Sequence, residues 1–190
     1  GLGGEHSITT PLVRTAAGQG GELGVLQIDA HGDLRDQYDD TPHSHACVMR
    51  RIHGDLGLPI SPVGIRSFCQ QEHHYMREHS IEPITVPQIE ADPAGHWIAR
   101  ALDKLPERIY ITIDIDGFDP AIAPGTGTPE PGGLTWRQVA ALLRTACRRK
   151  QVVAADVVEV MPIPGQHTTE FMAARLACKL ITYREASRAD

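Results

Sequence analysis

Apolar positions along the chain fall into two kinds of pattern. Short apolar runs at 24–30 (GVLQIDA), 60–66, 108–115 (RIYITIDI) and 152–160 read as buried strands, rich in β-branched residues. Residues 83–86 add a shorter strand. Between these runs, 9–17, 46–53, 70–79, 93–104, 135–150 and 168–183 read as helices, 93–104 as an amphipathic one. Thr135 is the expected N-cap of one helix, and Thr168 or Thr169 of the last. Residues 119–133 are rich in Pro and Gly and form a loop. Strands alternating with helices predict an α/β fold, a three-layer α/β/α arrangement around a mainly parallel central sheet. No linker, charge run or internal repeat divides the chain, so 1–190 reads as one domain.

In such sheets ligands bind beyond the carboxyl ends of the strands, and that edge collects chemistry here. Asp29, His31 and Asp33 follow the first apolar run with a period of two, which in an extended segment puts all three on one side. Asp114 and Asp116 repeat the arrangement after the third. Carboxylates ending buried strands are costly unless paired. His6 adds a third loop, with glycines before it that allow close backbone approach. Taken singly, each has an ordinary reading: a loop histidine, helix caps, turn residues before Gly117. Those readings leave unexplained why all six fall at strand ends on one edge. Four Asp charges would balance two divalent cations. A carboxylate and imidazole set without thiolate suits Mn²⁺. Two such ions can make a shared water nucleophilic, which predicts a hydrolase.

Composition narrows the class. The 190 residues carry a formal net charge of -6, with Lys and Arg spread along the chain, against a nucleic-acid binder. Cys47, Cys69, Cys147 and Cys178 lack paired metal-ligand spacing and read as free thiols in a reducing compartment. No apolar run is long enough for a membrane span and no signal peptide is evident, so the expected location is cytoplasmic. The chain starts without Met, and Gly1 to His6 reads as the loop after a strand that is not there. An N-terminal portion is therefore expected to be missing, with one side of the sheet and an apolar surface left open.

Five segments taken together resemble the ureohydrolase family of arginases and agmatinases. They are GGEHS (3–7), DAHGD (29–33), SHACVMRR (44–51), DIDGFDPAIAPGTGTPEPGG (114–133) and DVVEVMP (156–162). The nearest likeness is to bacterial and archaeal agmatinases. The resemblance implies an arginase-like fold, two Mn²⁺ ions per subunit and hydrolysis of a guanidino compound to urea and an amine. It implies that His6 and Asp33 complete one metal's shell, that His31 and Asp116 complete the other's, and that Asp29 and Asp114 bridge both. His45 matches a histidine near the cleft that protonates the departing amine, and Glu159 matches a glutamate that holds the guanidinium. The loop 125–128 is expected at the pocket floor, and Asp119 is expected to be structural. Glu5 and Gly32 depart from the common pattern, Gly32 in a way that could loosen the ligand loop.

The stretch 64–69 lacks the acid by which arginases receive an α-amino group, which argues against L-arginine. Agmatine, giving putrescine, is the first expectation, with guanidinobutyrate, another guanidino acid or guanidine itself as the alternatives. The family also implies a homo-oligomer, a trimer or hexamer, while charge and hydropathy argue against a nucleic-acid or membrane partner. Two rivals stand: a one-zinc amidohydrolase of the deacetylase kind, against which the second Asp pair and the TGTPEPGG loop speak, and an inactive metal-binding fragment or subunit of the same fold.

Overall fold

The computed structural model describes residues 1–189. Four strands, β1 (Leu23–Ile28), β2 (Ile60–Val63), β3 (Arg108–Asp114) and β4 (Gln151–Val158), form a parallel sheet in the order β2-β1-β3-β4. The helices are α1 (Thr9–Ala17), α2 (Val48–Arg50), α3 (Gln70–Glu78), α4 (Val86–Glu90), α5 (His96–Asp103), α6 (Trp136–Arg149) and α7 (Thr168–Ala189).

Alternate residues of the strands feed two cores. Leu26, Ile28, Ile109, Ile111 and Ile113 pack against α4 to α7 on one face. Leu23, Val25 and Tyr110 pack against α1, α2 and α3 on the other. This is the expected α/β/α sandwich. A sheet buried on both faces needs apolar residues at nearly every strand position. Gln27 and Thr112, both fully buried, interrupt that rule on the α1 face.

Four expectations need correction. Residues 83–86 do not make a strand: Ile84 forms one bridge to Val63, and α4 follows at once. Pro87 suits a first helical turn, and Gln88 Oε1 accepts the Thr85 N–H at 3.0 Å, so helix-start chemistry wins over the apolar run. The helix at 46–53 is a 3-10 turn (His45–Cys47), then α2, then a π turn (Arg51–Asp55). The last helix already includes Thr168, and the Thr169 hydroxyl is engaged elsewhere, accepting the Gly125 N–H at 2.8 Å.

The fourth correction concerns the ligand segments. They are not extended throughout: Asp33 has φ +52°, and Ile115–Gly117 is a 3-10 turn in which the Asp116 N–H donates to Asp114 Oδ1 at 3.0 Å.

At the sheet's β4 edge, Leu2 bridges Val157 in parallel register. An apolar groove lies there, lined by Leu2, Val153, Ala154, Leu180 and Ile181, with Leu2 72% and Ile181 65% exposed. No helix of the described residues is long and apolar enough to cross a membrane.

Candidate metal centre

All six sequence-predicted ligands meet beyond the carboxyl ends of β1 and β3. Gly117 makes the convergence possible: a Cβ there would lie 2.9 Å from the Asp29 nitrogen, so the loop after β3 can close onto the end of β1 only without a side chain. His6, Asp29, Asp33, Asp114 and Asp116 are buried, and the His31 side chain is 26% exposed.

The donors fall into two sets that share Asp29. The first is His6, Asp29 and Asp33; the second is Asp29, His31 and Asp116; in each, the candidate donor atoms lie within 4.8 Å of one another. In the first set His6 Nδ1 is 2.9 Å from Asp33 Oδ2 and 3.5 Å from Asp29 Oδ2, and Asp114 Oδ2 joins at 3.2 Å. In the second, His31 Nδ1 is 2.9 Å from Asp116 Oδ2 and 3.8 Å from Asp29 Oδ1. Asp29 is oriented through both oxygens: Oδ1 accepts the His31 N–H at 2.7 Å and Oδ2 accepts Gln27 Nε2 at 3.0 Å. Asp116 accepts the Ala30 N–H at 3.1 Å and the Thr128 hydroxyl at 3.2 Å.

Electrostatics show what the cluster lacks. Burial, reinforced by the neighbouring acids, pushes the Asp29 and Asp114 carboxyls well above the usual range. Burial acts to lower the His6 imidazole, but Asp114 and Asp33 outweigh it and raise it well above its ordinary value. His31 is raised to about 9: burial opposes the shift, and Asp116 overcomes it. Asp116 itself ends below the usual range, because His31 outweighs its burial. The site thus recruits protons to offset packed negative charge.

A metal fits the same place. His6 Nδ1 is fully buried and has no hydrogen bond of acceptable geometry, although three carboxylate oxygens surround it. A nitrogen aimed at anionic oxygens without a bond between them is the arrangement a cation completes. The N and O donors, without thiolate, match the preferences of Mn²⁺ and similar ions.

His45 and Glu159 line the same open cavity of about 280 Å³, together with His6, His31, Thr128 and Tyr38. His45 stands at the rim, its Nδ1 3.6 Å from Glu5 Oε1 and its ring edge-on to Tyr38. Glu159, held at φ +60°, accepts the main-chain N–H of His6 through Oε1 at 2.5 Å. Burial raises its carboxyl pKa. Its other oxygen faces Gly127, where an added Cβ would lie 4.0 Å away. Asp119 is structural: it accepts the N–H groups of Ala121, Gly132 and Gly133 and ties off the 119–133 loop. Gly32 makes room for Glu72 beside its loop. A Cβ there would lie 3.0 Å from Glu72 Oε1, which instead accepts the Leu34 N–H at 3.0 Å.

Three supporting residues escaped the sequence reading. Gln27 and Thr112 each sit two positions before a strand-end aspartate, on the same face, and touch the candidate ligands Asp29 and His6. A buried polar residue inside an apolar strand was the available signal. Arg66 donates to the carbonyls of Gly64, Asp116, Gly117, Phe118, Glu130 and Pro131, bracing the loop that carries Asp116 and Thr128. Nothing in the local sequence marks that role.

The chain is similar to known proteins in sequence and fold. A family model described as the arginase family matches residues 1–182. The N(1)-aminopropylagmatine ureohydrolase of Synechocystis is 44% identical over 184 residues, covering 96% of this chain and 59% of that protein. The agmatinase of Pyrococcus horikoshii is 37% identical, covering 92% of this chain and 59% of its own length. The agmatine ureohydrolase of Thermoplasma volcanium superposes with a TM-score of 0.86 at 35% identity, over 97% of this chain and 61% of that one. The chain spans about three fifths of the length of these relatives.

Proposed function

The chain belongs to the arginase family, and from that membership we propose that the protein hydrolyses a cationic guanidino compound to urea and an amine, using two Mn²⁺ ions. Agmatine is the leading substrate, and N(1)-aminopropylagmatine is its longer counterpart, the named substrate of the Synechocystis relative. The observation that carries the reading is the shared Asp29, whose two oxygens face two separate histidine-containing donor sets.

In this proposal His6, Asp33, Asp29 and Asp114 hold one ion, and His31, Asp116, Asp29 and Asp114 hold the other. Bound there, the ions supply Lewis-acid charge and activate water at neutral pH. Glu159 receives the planar guanidinium in a charge-assisted contact through the oxygen that His6 leaves free. His45, at the rim with Nδ1 turned to Glu5, hands a proton to the departing amine. With the four aspartates balanced by two divalent ions, Glu159 at the cavity wall is the carboxylate that favours a cationic substrate over a neutral one.

A guanidino-acid substrate draws on a different observation. Arg35 brings a guanidinium to the cavity wall, stacked over Tyr38 at 4.7 Å, where it could meet a distal carboxylate. Urea release from agmatine, N(1)-aminopropylagmatine, guanidinobutyrate and arginine, measured on the intact protein with added Mn²⁺, separates the readings. Turnover of the first two is expected. Preference for guanidinobutyrate would transfer the assignment to guanidino acids, and no urea from any of the four would end the hydrolase reading.

A further inference from the structure

We infer that a buried hydroxyl relay, Asp156–Thr9–Thr112, fixes the ring tautomer of His6 and so presents its Nδ1 to the metal centre; the inference rests on the metal reading above. Thr9, Thr112 and Asp156 are all buried. They come from α1, β3 and β4, so the relay joins three elements under the site.

The direction of each bond follows from the one before it. Asp156 Oδ2 is the fixed acceptor, taking the Thr9 hydroxyl at 2.7 Å and the Tyr110 hydroxyl at 2.7 Å. Thr9 has one hydroxyl hydrogen and spends it there. In the 3.5 Å contact between the Thr9 and Thr112 hydroxyls, Thr9 can then only accept, which leaves the donor's place to Thr112. With its hydrogen turned to Thr9, Thr112 accepts from His6 Nε2, 2.9 Å away; the reverse, Thr112 donating to Nε2, would put the ring hydrogen on Nδ1, against the metal reading on which the inference rests. Nε2 consequently carries the hydrogen. A neutral imidazole with hydrogen on Nε2 has its lone pair on Nδ1, the atom that faces Asp33, Asp114 and Asp29. Residues in this outer position orient a ligand and tune affinity without touching the metal. Thr9 and Asp156 are positioning residues acting through Thr112.

The test uses the intact protein and Mn²⁺ as the probe. Thr9→Val keeps the shape and removes the hydroxyl; Thr9→Ser restores it. Thr9→Val is expected to weaken one of the two Mn²⁺ sites about 10- to 100-fold, by titration of metal-free protein, and to leave the other unchanged. Thr9→Ser should bind as the wild type does. Thr112→Val should show the same selective loss, and the double variant should be no worse than Thr112→Val alone, because both break one wire. Wild-type affinity at both sites in Thr9→Val overturns the relay, as does a Thr9→Ser variant as impaired as Thr9→Val, which would mark a packing effect.

If the valine variants do not fold, ¹⁵N NMR of the wild-type histidine rings in metal-free protein at alkaline pH reads the tautomer directly, because a metal on Nδ1 would itself force the hydrogen onto Nε2. Hydrogen on His6 Nε2 is expected, and hydrogen on Nδ1 refutes the relay. A wild-type protein that takes up no metal would defeat the metal reading instead, and the same spectrum would still decide the tautomer.

Discussion

The Glu159 carboxylate accepts the main-chain N–H of His6 at 2.5 Å, joining positions 153 residues apart in sequence. One side chain therefore positions a ligand loop and offers its second oxygen to the cavity. Glu159→Gln keeps an acceptor for His6 and removes the charge. Metal content should stay at the wild-type level while kcat/KM falls about 10- to 100-fold, the loss expected for one charge-assisted contact. Glu159→Ala removes the acceptor too and should also weaken metal binding on the His6 side. Equal kcat/KM for Glu159→Gln and wild type would take Glu159 out of substrate recognition.

Asp29 and Asp33 make a contrasting pair. Asp29 belongs to both donor sets, whereas Asp33 belongs to the one with His6. Asp29→Asn should abolish binding of both ions, and Asp33→Asn should weaken one. Metal analysis after gel filtration in limiting Mn²⁺ reads the difference. If both variants lose the same amount of metal, Asp29 is not shared.

The strand-end logic made five of the six candidate ligands legible, because two apolar runs end side by side in the sheet; His6 came from a separate loop. The same logic reached Gln27 and Thr112, which lie one step further back along those strands, had buried polar residues been followed inward. The turns were less legible. Asp33 at φ +52° and the 3-10 turn at Ile115–Gly117 preserve the convergence that extended segments were expected to give, by a different backbone route. Residues 83–86 misled because an apolar run and a helix start coincide there, and the capping contact of Gln88 decides between them only once the chain is folded. Arg66 was illegible for another reason: its partners are carbonyls, which carry no residue identity.

Arg66 supplies the third expectation. Its guanidinium reaches carbonyls on both sides of the 119–133 loop in a planar fork that a lysine cannot reproduce. Arg66→Lys should cost about 1–3 kcal/mol of stability, because several carbonyls lose their donor together. The loop carries Thr128, which donates to Asp116, so binding at the His31 side should weaken more than at the His6 side. Chemical denaturation and Mn²⁺ titration of the same variant check both parts. Unchanged stability would show that water replaces the fork without loss.

The metal-free protein should lose stability as the pH rises through neutrality. His6, His31, Asp29 and Asp114 all have pKa values raised in the folded state, while Asp116 moves the other way. A group raised on folding contributes its full stabilisation below its ordinary pKa, and that contribution disappears as the pH climbs through the folded value. For His31 the window runs from 6.5 to about 9. Thermal melting of chelator-treated protein should therefore show a falling Tm across that window. Mn²⁺ competes with protons for the same atoms, so its affinity should rise over the same interval. Saturating Mn²⁺ should flatten the Tm profile or reverse its slope, since binding to the folded state alone adds stability that grows with the logarithm of the ratio of free Mn²⁺ to its Kd. A metal-free Tm that stays level or climbs from pH 6.5 to 9 would mean that the cluster does not hold the extra protons on which this expectation depends.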